Sequence, residues 1–157
     1  MTGAPTSRTT VAAAILMERL IRDAYPARHS SEIQPLQWSI LRYLARVPED
    51  QRQLSRIAPF LNLTAAPVAR ALTTLAQRGM LTQRVSETDS RIKTITLTEL
   101  GVDALRQDPI ISVASRIDTL PENERRDFIK SIRSIALGVT HPPKPVDDDS
   151  ADTDTFS

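Results

Sequence analysis

The sequence predicts a mainly α-helical fold with one small β-hairpin, and two features of its apolar pattern point there. Between Val11 and Leu75 apolar residues recur at three- and four-residue spacings, the period of a helix. Between Leu81 and Leu97 the period falls to two, the signature of paired strands, before helical spacing returns. A third observation narrows the class. The 157 residues include no cysteine, which removes disulfides, a thiolate nucleophile, peroxide sensing by a thiol and cysteine-ligated zinc. No run approaches the roughly 18 apolar residues of a membrane span. Val11 to Met17 is apolar, but Glu18, Arg19, Arg22 and Asp23 follow directly, unlike a signal peptide. A soluble, cytoplasmic protein without a membrane partner is expected.

Residues 1–7 show no periodicity and are expected to form a disordered arm. A first helix should begin at Arg8 or Thr9, carry Val11, Ile15, Leu16, Leu20 and Ala24 on one face, and end at Pro26. His29 to Gln34 is a polar connector. Pro35 suits the first turn of a second helix, where its missing N–H costs nothing. Leu36, Ile40, Leu44 and Val47 mark that helix's face, and Pro48-Glu49-Asp50 stops it. A short third helix is expected from about Leu54 to Leu61. Pro59 lacks an N–H and clashes with the preceding turn, so a distorted or late-starting helix is predicted. Asn62-Leu63 is a tight turn. Thr64 caps a fourth helix, Pro67 falls in its first turn, and Val68, Leu72 and Leu75 form its buried face. Gly79 stops it.

The hairpin follows. Leu81, Gln83 and Val85 form one short strand, Ser86 to Ser90 a polar loop, and Arg91 to Leu97 an alternating second strand. Thr98 caps a fifth helix, which Pro109 should kink or break. Pro121, Glu122 and Glu124 open a sixth, with acids placed favourably in its first turn. Its apolar face is Phe128, Ile129, Ile132, Ile135, Ala136 and Val139, and Gly138 and Pro142 close it. The segment 141–157 is an acidic tail expected to be disordered. There is no internal repeat.

The third and fourth helices with their brief connector make a helix-turn-helix, and a hairpin directly after that pair is a wing. The predicted architecture is a winged helix-turn-helix over about 36–98. It is flanked by helices at about 8–25 and 99–140, within one domain of residues 8–140. Those terminal helices are too apolar to sit alone on so small a lobe. They predict packing between chains, hence a homodimer.

Net charge is only +1, but its distribution is uneven. The last 17 residues hold one Lys and five Asp. Gln51 to Lys93 holds seven basic residues (Arg52, Arg56, Arg70, Arg78, Arg84, Arg91, Lys93) against Glu87 and Asp89. A basic stretch that coincides with a helix-turn-helix and its wing is the electrostatic footprint expected for double-stranded DNA.

Leu63-Thr64, Arg70, Leu75, Arg78-Gly79-Met80-Leu81, Arg84, Asp89-Ser90-Arg91, Leu97-Thr98 and Gly101 together resemble the core of the MarR family of transcriptional regulators. Gln37-Trp38 and Leu41 resemble it as well. The similarity spans about residues 8–140, with its specific part at 54–101. Asp-x-Arg alone is a weak signal. The same tripeptide in a predicted wing, followed at the right distance by Leu-Thr-x-x-Gly, is a strong one.

The resemblance implies a dimeric repressor on a palindromic operator, with the fourth helix in the major groove and the wing at the minor groove. Thr64, Ala65, Ala66, Ala69 and Arg70 form the first turns of that recognition helix. Small residues there permit close approach, and Arg70 offers a planar fork suited to guanine or phosphate. Arg91 would meet the narrow minor groove or its phosphates. Asp89 cannot favour DNA by charge, so it is expected to pair with Arg91 or Arg84 and fix the loop. Arg84 and Lys93 are expected phosphate contacts, with Arg52 and Arg56 less supported. Two positions depart from the family pattern: Thr74, where many relatives carry a second basic residue, and Pro59.

Relatives often bind small anionic aromatic ligands between the dimerisation helices and the DNA-binding lobe. The matching candidates for a small aromatic or anionic effector are Tyr25, His29, Trp38, Arg42 and Tyr43, although a Trp or Tyr at such spacing is more often core. Two histidines without cysteines argue against a metal, and no cofactor is expected. No phosphate-binding glycine loop or nucleophile motif suggests an enzyme. A winged-helix protein-interaction module without DNA binding is the alternative, and the presence of Arg70, Asp89 and Arg91 argues against it.

Overall fold

The computed structural model describes residues 6–25, 32–85, 89 and 91–140. The expected arm (residues 1–5 of it), His29, Ser86 to Thr88, Ser90 and the acidic tail lie outside the described residues. The chain divides into two compact units, Met1–Ser115 and Arg116–Ser157.

The first unit contains α1 (Arg8–Ala24), α2 (Pro35–Arg46), a 3-10 turn (Glu49–Gln51), α3 (Leu54–Phe60) and α4 (Ala65–Gln77). An antiparallel hairpin of β1 (Leu81–Val85) and β2 (Lys93–Leu97) follows, then α5 (Glu99–Leu105). The helix α6 (Ile110–Asp118) crosses the unit boundary, and α7 (Glu122–Thr140) belongs to the second unit. The fold is mainly helical with one hairpin and is a winged helix.

Each start and stop has a local cause. Ser7 caps α1 by accepting from the Thr10 N–H at 3.1 Å, so one residue of the expected arm belongs to the start of this helix. At α2, Gln37 accepts from the Gln34 N–H at 3.0 Å in a capping box, and Pro35 fills the first turn. Pro59 does not delay α3, which starts at Leu54. It stands near the C-terminal end, where a missing N–H removes a single helical bond. The chain breaks at Pro109 as expected, between α5 and α6. Gly138 does not end α7, contrary to expectation. Positive φ among the described glycines is confined to Gly79, so Gly138 stays helical and the helix runs on to Thr140.

The core lies where α2 meets α4, α5 and β2. Ile40, Leu41, Leu44, Ile57, Val68 and Leu75 are fully buried, and Leu81 and Ile95 close the cluster from the hairpin. α2 is buried on a broader face than its predicted stripe, because Trp38 and Tyr43 join the core as well. By contrast α1 has no buried residue, and Val11, Ile15, Leu16, Met17 and Ile21 stand exposed. In the second unit Arg125 pairs with Asp118 at 3.6 Å, and Ile129, Ile135 and Leu137 of α7 are exposed. Among the described residues no helix is long and apolar enough to cross a membrane.

Candidate nucleic-acid interface

The turn between α3 and α4 is set by Asn62, whose φ is 55°. Asparagine tolerates this left-handed geometry better than most side chains. It closes α3 with a Schellman motif: Leu63 N–H donates to Ala58 O and Asn62 N–H to Pro59 O, both at 3.0 Å. The same device ends α4, where Gly79 has φ 72°, Met80 N–H donates to Leu75 O and Gly79 N–H to Ala76 O. Two tight stops therefore fix both ends of the helix-turn-helix.

α4 divides its surface cleanly. Val68, Ala71, Leu72 and Leu75 enter the core. Thr64, Ala65, Ala66 and Arg70 are exposed, and Ala69 is half-buried. Thr64 is the N-cap residue, as expected, but its side chain makes no capping bond. The first N–H groups of α4 therefore have no side-chain acceptor from Thr64, an arrangement suited to an anion. Thr74 turns its hydroxyl onto the Arg70 carbonyl at 3.1 Å.

Across from α4 lies the wing. Ala65, Ala69 and Thr73 share a groove of about 590 Å³ with Gln83, Arg91 and Lys93 and with the start of α3. Four of the predicted residues, Ala65, Ala69, Arg91 and Lys93, thus line one concave surface. Arg70, one residue beyond Ala69, lies outside the groove lining. Arg84 does not join them either. It pairs in register with Thr94 and lines the opposite hairpin face with Glu49, Thr82 and Thr96.

Asp89 orders the wing, but through the main chain. Its carboxylate accepts from the Arg91 N–H at 2.9 Å, and its carbonyl accepts from the Ile92 N–H at 3.0 Å. Among the described residues it forms no ion pair with Arg84 or Arg91. An aspartate two residues before an amide makes such an Asx turn without any guanidinium. The expected arginine pairing is therefore replaced by a backbone contact.

The wing is held from both ends. Ile95 N–H donates to Arg52 O at 2.8 Å, which ties β2 to the segment before α3. Arg52's side chain donates to Val47 O at 3.1 Å, a structural contact where a phosphate contact had been considered. At the other end Thr98 donates to Gly79 O at 2.6 Å and accepts from Gly101 N–H at 3.2 Å. A Cβ on Gly101 would sit 2.1 Å from Met80 O. That approach explains the Leu-Thr-x-x-Gly pattern: threonine caps α5 and glycine lets α5 press on the backbone that follows the recognition helix.

The effector candidates separate. Trp38 is 6% exposed and Tyr43 5%, both within the core cluster. The Tyr43 ring meets that of Phe60 in a tilted contact, with centroids 4.7 Å apart, and its hydroxyl donates to Gln51 O. Tyr25 and Arg42, in contrast, line a second cleft of about 590 Å³ with Glu18, Ile21, Pro35 and Ile110. Arg42 donates to the Tyr25 hydroxyl at 2.9 Å, to both carboxylate oxygens of Asp108 at 3.2 Å and to Ser39 at 3.1 Å.

Asp108 was not anticipated. Its side chain is 3% exposed, and it also caps α6 by accepting from the Ile110 N–H at 3.0 Å. Its position before Pro109 was a helix-start signal that the sequence offered. Its pairing with Arg42, 66 residues away, was not readable from spacing.

Residues 33–101 match the family described as winged helix DNA-binding domain. Among solved structures, the S. aureus MepR–DNA complex is 19% identical, with a TM-score of 0.67, covering 85% of this chain and 99% of that one. A MarR protein from Peptoclostridium difficile is 14% identical, with a TM-score of 0.69, over 89% and 93% of the two chains. The PcaV transcriptional regulator from Streptomyces coelicolor, in complex with its natural ligand, is 19% identical with a TM-score of 0.62, over 88% and 99%. At these identities the likeness shows a shared fold, that of MarR-type regulators.

Proposed function

We propose, from the match of residues 33–101 to the winged helix DNA-binding domain family, that the protein is a homodimeric, cytoplasmic repressor that binds a palindromic operator. The observation that carries this reading is the groove between α4 and the wing. The small exposed residues of the recognition helix stand on one side and Arg91 and Lys93 on the other. Thr64, Ala65, Ala66 and Ala69 bring the start of α4 close to base edges in the major groove, and Arg70 supplies the guanine or phosphate contact. Arg91, held by the Asp89 turn, meets the minor groove, and Lys93 a phosphate. Arg84 reaches a phosphate from the outer face of the wing. DNA bound to MepR, a protein of the same fold, supports this docking.

Dimerisation is supported by the exposed Val11, Ile15, Leu16 and Met17 of α1 and by the exposed apolar residues of α7. Two-fold symmetry then matches an operator with two half-sites. A small molecule seated in the cleft of Tyr25 and Arg42 releases the DNA, a role supported by the ligand bound to PcaV. The test is a gel shift of the full-length protein with the DNA upstream of its own gene. A discrete complex that resists unrelated competitor DNA is expected. Binding with no preference over competitor would leave the winged helix as a protein-interaction module.

A further inference from the structure

We propose that the Tyr25–Arg42 cleft selects an uncharged ligand bearing a hydrogen-bond acceptor, because the buried carboxylate of Asp108 already neutralises Arg42. The inference rests on the reading of this cleft as an effector site and names the chemistry of its occupant. It departs from the anionic class that family resemblance implied.

A guanidinium receives a carboxylate ligand through paired N–H donors. In this cleft the charge of that guanidinium and its Nη1 donors are already taken. Both oxygens of Asp108 lie 3.2 Å from Arg42 Nη1, and Arg42 Nη2 donates to Ser39 Oγ at 3.1 Å. Asp108 is itself anchored by the Ile110 N–H at 3.0 Å, so it cannot swing away without uncapping α6. An anion that drew Arg42 away from Asp108 would leave a carboxylate that is 3% exposed without its counter-ion, a strongly unfavourable change, and one that did not would meet a guanidinium whose charge is already balanced. The other charges on the rim also cancel, since Arg22 is paired with Glu18. The cleft therefore presents no unmatched positive charge.

What it does present suits a neutral amphipathic molecule. Ile21, Pro35 and Ile110 supply apolar walls, and the volume of about 590 Å³ lies within the range of small-molecule sites. The Tyr25 hydroxyl accepts from Arg42 at 2.9 Å. Its own proton has no acceptor among the described residues, which leaves the hydroxyl able to donate to a ligand. Acceptance from a guanidinium polarises that O–H and strengthens the donation. A carbonyl oxygen fits this donor and needs no charge.

The experiment uses the full-length protein and matched probes: benzamide against benzoate, and 1-naphthamide against 1-naphthoate, titrated by calorimetry at constant ionic strength. The wild type should bind each amide at least about ten-fold more tightly than its carboxylate. Asp108→Asn, which frees Arg42 of its counter-ion, should reverse the order and gain about ten-fold or more for the carboxylates. Tyr25→Phe leaves the ion pair intact. It should weaken amide binding several-fold and leave the carboxylates unchanged, so the proposal stays testable if Asp108→Asn does not fold. Carboxylates binding the wild type as well as amides do would overturn it. So would an unchanged preference in folded Asp108→Asn, or amide binding indifferent to Tyr25→Phe. Absence of binding by all four probes would overturn both this inference and the effector reading. The gel shift, run on the same preparation, judges DNA recognition separately.

Discussion

The helices α4 and α1 are both amphipathic, yet the fold treats them in opposite ways. α4 sends Val68, Ala71, Leu72 and Leu75 into the core and leaves short side chains and Arg70 outside. α1 is longer and carries an apolar stripe of similar regularity, yet none of its residues is fully buried and only Leu20 and Ala24 of the stripe are half-buried. The difference shows that folding alone accounts for one stripe and not the other. Leu75 is fully buried, whereas Leu16 is 64% exposed. A stripe kept apolar at that exposure points to a surface that another chain covers.

Two substitutions sharpen that contrast. Leu75→Ala should cost about 2–5 kcal/mol, seen as a fall in Tm of roughly 5–20 °C at any protein concentration. Leu16→Glu should leave the core intact and instead separate the protomers. Light scattering should then return one chain mass rather than about twice 17.4 kDa. A dimeric mass that survives Leu16→Glu would remove α1 from the interface.

The packing of α5 behind α4 gives the next effect in size. Gly101 lets α5 meet the Met80 carbonyl, and a methyl group there would lie 2.1 Å from it. Backbone cannot yield as a flexible side chain does. Gly101→Ala should therefore destabilise by about 1–3 kcal/mol in thermal or urea unfolding. A neutral result would show that α5 can withdraw from the wing without loss.

Sequence reasoning served these regions unequally, for physical reasons. The helix-turn-helix, the hairpin and the break at Pro109 are local, and caps, turn residues and periodicity report local structure. The placement of Ala65, Ala69, Arg91 and Lys93 on one groove follows from that local order. Long-range pairings left no such trace. Nothing in the spacing of Arg42 and Asp108 marks them as partners, and nothing distinguishes Trp38 in the core from an aromatic in a cleft. Arg84 was grouped with Lys93 by charge, yet the two sit an odd number of register steps apart, on opposite faces of the hairpin. The strand period of two held that information.

DNA affinity supplies the third test. Arg70→Ala should lose about 1–3 kcal/mol per base contact and relax preference at one position of each half-site. Arg91→Ala should weaken binding and, where the contact is to phosphate, lower the salt dependence by about one charge. Changes of this kind with Tm unaltered would separate the exposed face of α4 and the wing from their buried supports. Equal loss for Arg70→Ala on all sequences would reassign Arg70 to phosphate.

The smallest effect isolates the wing's own order. In the proposed docking Asp89 would carry a negative charge near the DNA, so electrostatics alone says that any neutral replacement tightens binding. Its carboxylate, however, accepts from the Arg91 N–H at 2.9 Å and holds the turn that presents Arg91. Asparagine has an acceptor oxygen at the same place and no charge. Asp89→Asn should therefore keep the turn and bind DNA as tightly as the wild type or tighter. Asp89→Ala loses the acceptor along with the charge. It should bind more weakly than Asp89→Asn, by about 0.5–1.5 kcal/mol, the net worth of a hydrogen bond. In a double-mutant cycle the Asp89→Ala loss should shrink once Arg91 is already alanine, because the ordered turn then has no guanidinium to present. Equal affinities for the alanine and asparagine variants, both above the wild type, would show that only the charge of Asp89 matters and that the turn forms without its side chain.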